Sequence, residues 1–230
     1  MKKKNIHAII LARGGSKGIK NKNLITLNKK PLIYWSINSF LKNKYVKKIW
    51  VSSDDKEILT ISKKFGANII LRPKKLSNDI ASSDHAWVHA IKTILKKEEI
   101  EYVIGVQPTS PIRDDDDINN SINKFFKYKY DSLFTASDEN EGFLWSLNKK
   151  KIIPSYNILK RPRRQDLRPK ICENGSFYIF NVKKFLKYEN RLFDKIGYYK
   201  MQKYKGYQID SWEDFLLIDT IIKNRAKFKF

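Results

Sequence analysis

The residues best suited to chemistry crowd into one short run, Leu11-Ala-Arg-Gly-Gly-Ser-Lys-Gly-Ile-Lys-Asn-Lys-Asn23. Gly14, Gly15 and Gly18 permit backbone angles and close approaches denied to other residues, so successive N–H groups can turn toward one anion. Arg13, Lys17 and Lys22 bring positive charge to the same turn. A triphosphate satisfies both features. The spacing is neither G-x-G-x-x-G nor G-x-x-x-x-G-K-[ST], so neither a dinucleotide fold nor a P-loop follows from it. Asp210 is a further carboxylate near the end of the chain. The Ser211-x-x-Asp214 beside it has the form of a capping box, which occupies Ser211 and leaves Asp210 free. His85 and His89 stand four apart, a zinc-capable spacing, but no H-E-x-x-H surrounds them and they read as packing or surface residues. Asp114–Asp117 reads as a helix start whose carboxylates complement the dipole. Cys172 has no sequence context that argues a low pKa and is given no catalytic role.

These side chains need a scaffold, and the apolar pattern supplies one. Ile6–Ala12 is a continuous apolar strand, and its His7 and Arg13 argue against reading MKKKNIHAIILARGG as a signal peptide. Pro31 opens a helix carrying Leu32, Ile33, Trp35, Ile37, Phe40 and Leu41; Lys48–Ser52 is a second strand, and Asp54 caps a helix that ends at Gly66. Asn68–Leu71 and Tyr102–Val106 read as strands, Ser83–Lys97 and Asp114–Tyr128 as helices. Strands alternating with helices imply a mostly parallel sheet with right-handed crossovers, whose ligands bind beyond the strands' carboxyl ends. That gathers the loops Arg13–Lys22, Ser52–Asp55, Arg72–Ser83 and Gln107–Arg113 around one crevice. Trp35, Trp50, Trp87 and Phe40 are core candidates.

From Ser132 the rhythm changes. Strand-like pieces at Ser132–Ala136 and Phe143–Leu147 precede a basic, Pro-containing stretch, Ile153–Lys170, before strand character returns at Ser176–Asn181 and an amphipathic helix at Ser211–Ala226. The interruption reads as an insertion, either an arm toward a second subunit or a flap over the site.

Composition bounds the possibilities. The 230 residues suit one α/β domain, and 41% hydrophobic residues with no apolar run near ~18 residues argue a soluble protein without a membrane span. A single cysteine excludes an intrachain disulfide and a Cys-based zinc site, and points to a reducing compartment, the cytoplasm. The net charge of +23 invites a nucleic-acid reading, as does the run Arg161–Lys170. Only 9 of the 47 cations are Arg, however, and the Lys are scattered through every segment. Such dispersed charge acts over about 8 Å in physiological salt and favours an anionic small molecule over a specific nucleic acid.

The motifs, taken in order, resemble those of the CMP-sialic acid synthetases, the acylneuraminate cytidylyltransferases. The opening Ile9-Ile-Leu-Ala-Arg-Gly-Gly-Ser-Lys-Gly18 with Lys22-Asn23 is followed by Val51-Ser-Ser-Asp-Asp55, then Arg72-Pro73 with Asp79 and Ala81-Ser-Ser83. Gln107-Pro-Thr-Ser-Pro-Ile-Arg113, Arg161-Pro-Arg-Arg-Gln-Asp166, Glu173-Asn-Gly-Ser176 and Ile209-Asp210 complete the series, which spans Asn5 to Asp219. The resemblance implies a Rossmann-like nucleotidyltransferase sheet in a single domain, 1–230, with an inserted dimerisation arm at about 135–171 and a homodimer. It implies transfer of CMP from CTP to the anomeric hydroxyl of a nine-carbon nonulosonic acid, with pyrophosphate released and Mg²⁺ or another divalent cation required.

Carried over by position, Arg13, Lys22 and Asp210 would be catalytic, with Asp210 also the metal ligand. Arg13, Gly14, Gly15, Ser16, Lys17, Asn23, Arg72, Ala81 and Ser83 would hold the nucleotide. Gln107, Thr109, Ser110, Asn174 and Tyr178 would face the sugar, and Arg164 would clamp its carboxylate, within its own subunit or across the dimer. One departure stands out: the bacterial sialic acid enzymes often have Asp-x-Asp where this chain has Gln208-Ile-Asp210, which removes a charge from the metal site. A CMP-Kdo-type synthetase is the nearest rival; its Gln-Gly-Asp-like turn is replaced here by Gln107-Pro-Thr-Ser. The second rival is a basic nucleic-acid-binding protein without catalysis.

Overall fold

The structure, a computed structural model, describes residues 4–139, 143–149, 151–166 and 168–228. Its first strands are Ile6–Leu11 (β1), Thr26–Leu27 (β2), Lys30–Pro31 (β3), Val46–Ser53 (β4), Asn68–Leu71 (β5) and Tyr102–Val106 (β6). Then come Ser132–Glu139 (β7), Trp145–Asn148 (β8), Lys151–Pro154 (β9), Lys170–Asn181 (β10) and Ile196–Lys200 (β11). The helices are Leu32–Leu41 (α1), Lys56–Lys64 (α2), Ser83–Leu95 (α3), Asp115–Lys127 (α4), Val182–Tyr188 (α5) and Trp212–Lys223 (α6).

Seven strands form the central sheet in the order β11-β7-β10-β6-β1-β4-β5. All neighbours run parallel except β10, which is antiparallel to both β6 and β7. The mostly parallel α/β sheet is the architecture expected from the sequence. β1 is buried on both faces, as a parallel strand between two helix layers must be. Ile6, Ala8 and Ile10 join α1, α2 and α4 on one side, while Ile9 joins α3 and α5 on the other. The chain leaves β1 toward β4 and β5, then crosses back to β6 on its opposite side. This topological switch opens a crevice beyond the carboxyl ends of β1 and β6.

Local chemistry explains the element ends. The Ser211 hydroxyl accepts from Asp214 N–H at the start of α6, with the Asp214 carboxylate returning to Ser211 N–H, the expected capping box. Asp114 and Asp117 form the same device on α4, so the acidic run is a helix start. At α2 the cap is Asp55, whose carboxylate accepts the N–H groups of Glu57 and Ile58. Asp54, expected in that role, instead reaches back to accept Gly14 N–H at 3.1 Å. Helix α5 and edge strand β11 were absent from the sequence reading.

Between β7 and β10 lies the insertion. Its antiparallel hairpin β8–β9 forms a separate two-stranded sheet, followed by short 3-10 turns at Ile158–Lys160 and Arg164–Asp166. Leu147 (83% exposed) and Ile152 (66%) are cross-strand partners on this hairpin.

Candidate active site

A crevice sits at the switch point, a cavity of about 490 Å³. It collects residues far apart in sequence: Arg13, Ser16, Lys17, Lys22 and Asn23 from the turn after β1, Arg72, Ala81 and Ser83 before α3, Gln107 and Thr109 after β6, and Asp210 before α6. Eleven of the seventeen sequence candidates therefore share one cavity.

The glycine-rich turn leaves several backbone donors free. Within the described residues, the N–H groups of Gly15, Ser16, Lys17 and Gly18 have no hydrogen-bond acceptor. Gly14 N–H is already given to Asp54. The turn is anchored beneath by buried Asn23, whose amide donates to the Arg13 carbonyl at 2.9 Å. Gly18 is required by contact: a Cβ there would lie 2.0 Å from the Asp210 carbonyl oxygen, so the turn and the Asp210 segment touch backbone to backbone.

The cations of this turn are held by carboxylates. Lys22, with a side chain 12% exposed, donates to the Ile209 carbonyl at 2.7 Å and to Asp210 Oδ1 at 2.9 Å. Arg13 Nη1 lies 2.9 Å and Lys17 Nζ 3.3 Å from the two oxygens of Asp79. Partial burial raises the Asp79 pKa, but Lys17 and Arg13 more than reverse this and hold it below the usual carboxylate range. Asp79 thus pairs both Arg13 and Lys17.

Arg72 forms the opposite wall. It is 5% exposed, its Nη2 is 4.0 Å from Asp54, and its Nε has no partner among the described residues. Burial lowers its pKa, with Asp54 pulling the other way. A buried, incompletely satisfied guanidinium on a cavity wall is a donor awaiting an acceptor. Ser77 Oγ, on the same wall, is also buried without a partner.

Behind Gln107 and Gln208, which line the cavity, lies a bulge in β10. Pairing with β7 runs Glu173↔Ala136 and resumes at Tyr178↔Phe134, so residues 174–177 face the single residue Thr135. Gly175 makes the bulge possible with φ +65°, and packs against the side-chain amides of Gln107 and Gln208. Asn174 is a buried hub. Its carbonyl accepts from Ser110 Oγ (3.2 Å) and Gln208 Nε2 (3.1 Å), its side-chain oxygen from Thr135 Oγ1 (2.6 Å), and its amide donates to Ser137 Oγ (3.2 Å).

The remaining candidates lie behind or beside the cavity. Gly14, Gly15, Ser110, Asn174 and Tyr178 are off its lining; Ser110 and Asn174 stand behind Gln107. Tyr178, 5% exposed, donates its hydroxyl to Glu173 at 3.0 Å and packs on Trp87, and burial, then Glu173, pushes its pKa up to about 12. Arg164 begins a 3-10 turn in the insertion, and its side chain lies outside the described residues. His85 is exposed and His89 half-buried, the latter lowered in pKa by burial and then by Arg72. The sequence reading missed Asp54, the role of Asp79 as counter-ion, and Arg113, described below. None of these carries a signal in spacing, because each acts through a partner distant in the chain.

The comparison with known proteins decides the family. A model described as Cytidylyltransferase matches residues 7–227. The chain belongs to the cytidylyltransferase family. Among relatives of this chain, the N-acylneuraminate cytidylyltransferase A of Danio rerio is 33% identical over 215 residues, covering 91% of this chain and 49% of the relative. The N-acylneuraminate cytidylyltransferase of Escherichia coli O18:K1:H7 (strain RS218 / NMEC) is 30% identical over 228 residues, 96% and 54% of the two chains. The chain thus spans about half the length of these relatives. The pseudaminic acid cytidylyltransferase of Campylobacter jejuni subsp. jejuni serotype O:2 (strain ATCC 700819 / NCTC 11168) is 32% identical over 183 residues, 77% of this chain and 79% of that one. A solved CMP:2-keto-3-deoxy-manno-octonic acid synthetase complexed with CTP shares the fold, with a TM-score of 0.72 over 96% of this chain and 99% of that one at 16% identity.

Proposed function

We propose that this cytidylyltransferase transfers CMP from CTP to the anomeric hydroxyl of a sialic-acid-like nonulosonic acid. The observation that carries the reading is the cavity lined together by Ser16, Lys17 and Gly18 with their unbonded N–H groups, Lys22, buried Arg72, Gln107 and Asp210. The two named substrate classes of the relatives, N-acylneuraminate and pseudaminic acid, favour this over a Kdo-type acceptor, for which the likeness is one of fold.

In this reading the triphosphate lies along residues 15–18. Arg13 and Lys17 exchange Asp79 for phosphate oxygens as CTP enters. Asn23, Arg72, Ala81 and Ser83 surround the ribose and cytosine, with Arg72 Nε supplying a donor. Gln107 and Thr109 face the sugar acid. The anomeric oxygen bonds to the α-phosphorus as the bond from that phosphorus to the departing pyrophosphate oxygen breaks, and the hydroxyl proton leaves to water. Catalysis of such a displacement is positioning plus neutralisation of charge on the leaving oxygens. A cation ~4 Å from a phosphate contributes about 4 kcal/mol at an effective dielectric of ~20, so Lys22 and Arg13 outweigh many distant lysines.

Among the described residues no three His, Cys, Asp or Glu assemble a metal cage. Mg²⁺ does not need one, since it is commonly held by one or two carboxylates together with substrate phosphates. Asp210, with a side chain 70% exposed at the cavity, fits that requirement, while the Gln208 amide donates to Asn174. The ion would add charge neutralisation at the phosphates. A homodimer through the apolar hairpin β8–β9 would bring Arg164 of one copy toward the sugar carboxylate of the other. No described helix is long and apolar enough to cross a membrane; a cytoplasmic location, with no membrane or specific nucleic-acid partner, completes the proposal.

The test is pyrophosphate release with each of CTP, UTP, GTP and ATP against sialic, legionaminic and pseudaminic acids and Kdo, with and without Mg²⁺. Activity confined to CTP and one nine-carbon acid is expected. Silence in folded, CTP-binding protein would remove the activity.

A further inference from the structure

Arg113 ends the Gln107–Arg113 segment and is 3% exposed. Its guanidinium makes four hydrogen bonds: Nε to Ser176 Oγ (2.9 Å), Nη1 to Ser36 Oγ (3.1 Å), and Nη2 to the carbonyls of Gln107 (2.7 Å) and Ser176 (2.9 Å). No carboxylate lies within ion-pair distance of it among the described residues. Taking a charged group out of water without a direct counter-ion costs several kcal/mol. Burial accordingly drives its pKa down to about 9, with Asp117 partly restoring it.

The position of this charge explains the expense. The β6–β10 ladder ends at Val106↔Phe177, and the next backbone bond, Gln107 N–H to the Ser176 carbonyl, is stretched to 3.5 Å. There the two strands diverge, β6 into the segment bearing Gln107 and Thr109, β10 into the bulge bearing Asn174 and Gly175. Nη2 of Arg113 bridges the two carbonyls at the point of divergence while Nε and Nη1 hold the Ser176 and Ser36 hydroxyls, a planar spread of donors that lysine does not reproduce. Gly175 lies against the Gln107 side-chain amide, so the width of this gap fixes how far that amide stands into the cavity. The turn at residues 15–18 and Arg72 make no bond to Arg113.

We infer that Arg113 is a positioning residue for the acceptor half of the site: it sets the spacing between the Gln107 segment and the β10 bulge, and thereby acceptor binding, independently of CTP. The inference rests on the proposed reaction. Two readouts separate the two. In steady-state kinetics, Arg113→Lys should raise the KM for the acceptor acid about tenfold or more, the worth of one or two charge-assisted hydrogen bonds, and leave the KM for CTP within about twofold. Ser176→Ala, which removes only the Nε acceptor, should move the acceptor KM in the same direction by a smaller factor. Without any substrate, hydrogen–deuterium exchange of Arg113→Lys should speed up together in 107–112 and 173–177 and remain unchanged in 13–22 and 72–83. Equal rises in both KM values, or unchanged exchange in 107–112 and 173–177, would overturn the inference. A silent wild type would refute the reaction, and the exchange experiment would still decide the role of Arg113.

Discussion

Lys22 and Asp210 form the most consequential pair in the cavity, because one cation is shared between a protein carboxylate, a carbonyl and the space where a phosphate would lie. Asp210 is exposed and its backbone is fixed by others: Asp214 accepts its N–H and Gly18 abuts its carbonyl. Asp210→Asn should therefore leave thermal stability within about 1 kcal/mol of wild type, as for surface substitutions, yet lower turnover by roughly a hundredfold or more through loss of the proposed metal ligand and of the Lys22 charge balance. Turnover near wild type, measured across a Mg²⁺ titration, would remove Asp210 from the metal site. At this scale the sequence was informative where residue type announces chemistry, as in the Gly/Lys turn, Arg72 and Asp210. It was uninformative where a side chain acts through remote partners. Asn174 reads as a sugar contact until Thr135, Ser137, Ser110 and Gln208 are seen to occupy its polar atoms.

The elements that carry these residues follow apolar periodicity closely, since β5 and β6 occupy the spans expected of them. Besides the short strands β2, β3 and β9, two larger elements failed to announce themselves. Helix α5 has seven residues, too few for a clear period, and edge strand β11 carries exposed Ile196 and Tyr198 that give no contrast between faces. β1 makes one further demand on its surroundings. His7 is fully buried, accepts Trp50 Nε1–H at Nδ1 (3.1 Å) and meets Asn5 Oδ1 at Nε2 (3.1 Å), which fixes the neutral Nε2–H tautomer. Burial lowers its pKa from 6.5 to about 4, against a rise from Glu98. The unfolded chain therefore binds this proton first as pH falls. Stability should decline below about pH 6.5 and level off near pH 4, by about 3 kcal/mol from this group. Urea unfolding of His7→Gln against wild type at pH 7.5 and pH 4.5 checks it: the variant should lose less stability over that interval, and equal losses would contradict the assignment.

Over the whole molecule, the insertion is the part whose shape makes least sense in one copy. Leu147, Ile152, Ile153 and Leu159 are each between 47% and 90% exposed on or beside the β8–β9 hairpin. Apolar surface so concentrated marks an interaction site. For the proposed homodimer, sedimentation should give a dimer for wild type and a monomer for Leu147→Asp/Ile152→Asp, and the proposed trans role of Arg164 predicts a raised acceptor KM in the monomer. A dimer in the double variant would contradict the hairpin as its interface. The net charge of +23 belongs to this scale as well. Dispersed over the surface, it speeds encounters with anions at low salt without specifying which one is used.

The most direct measurement follows an oxygen atom. An acceptor acid labelled with ¹⁸O at the anomeric hydroxyl is incubated with CTP, Mg²⁺ and the protein, and the products are analysed by mass spectrometry. Attack of that hydroxyl on the α-phosphorus predicts a CMP-sugar retaining the label in its bridging oxygen, with unlabelled pyrophosphate. An unlabelled CMP-sugar, or labelled phosphate products without a CMP-sugar, would contradict the account.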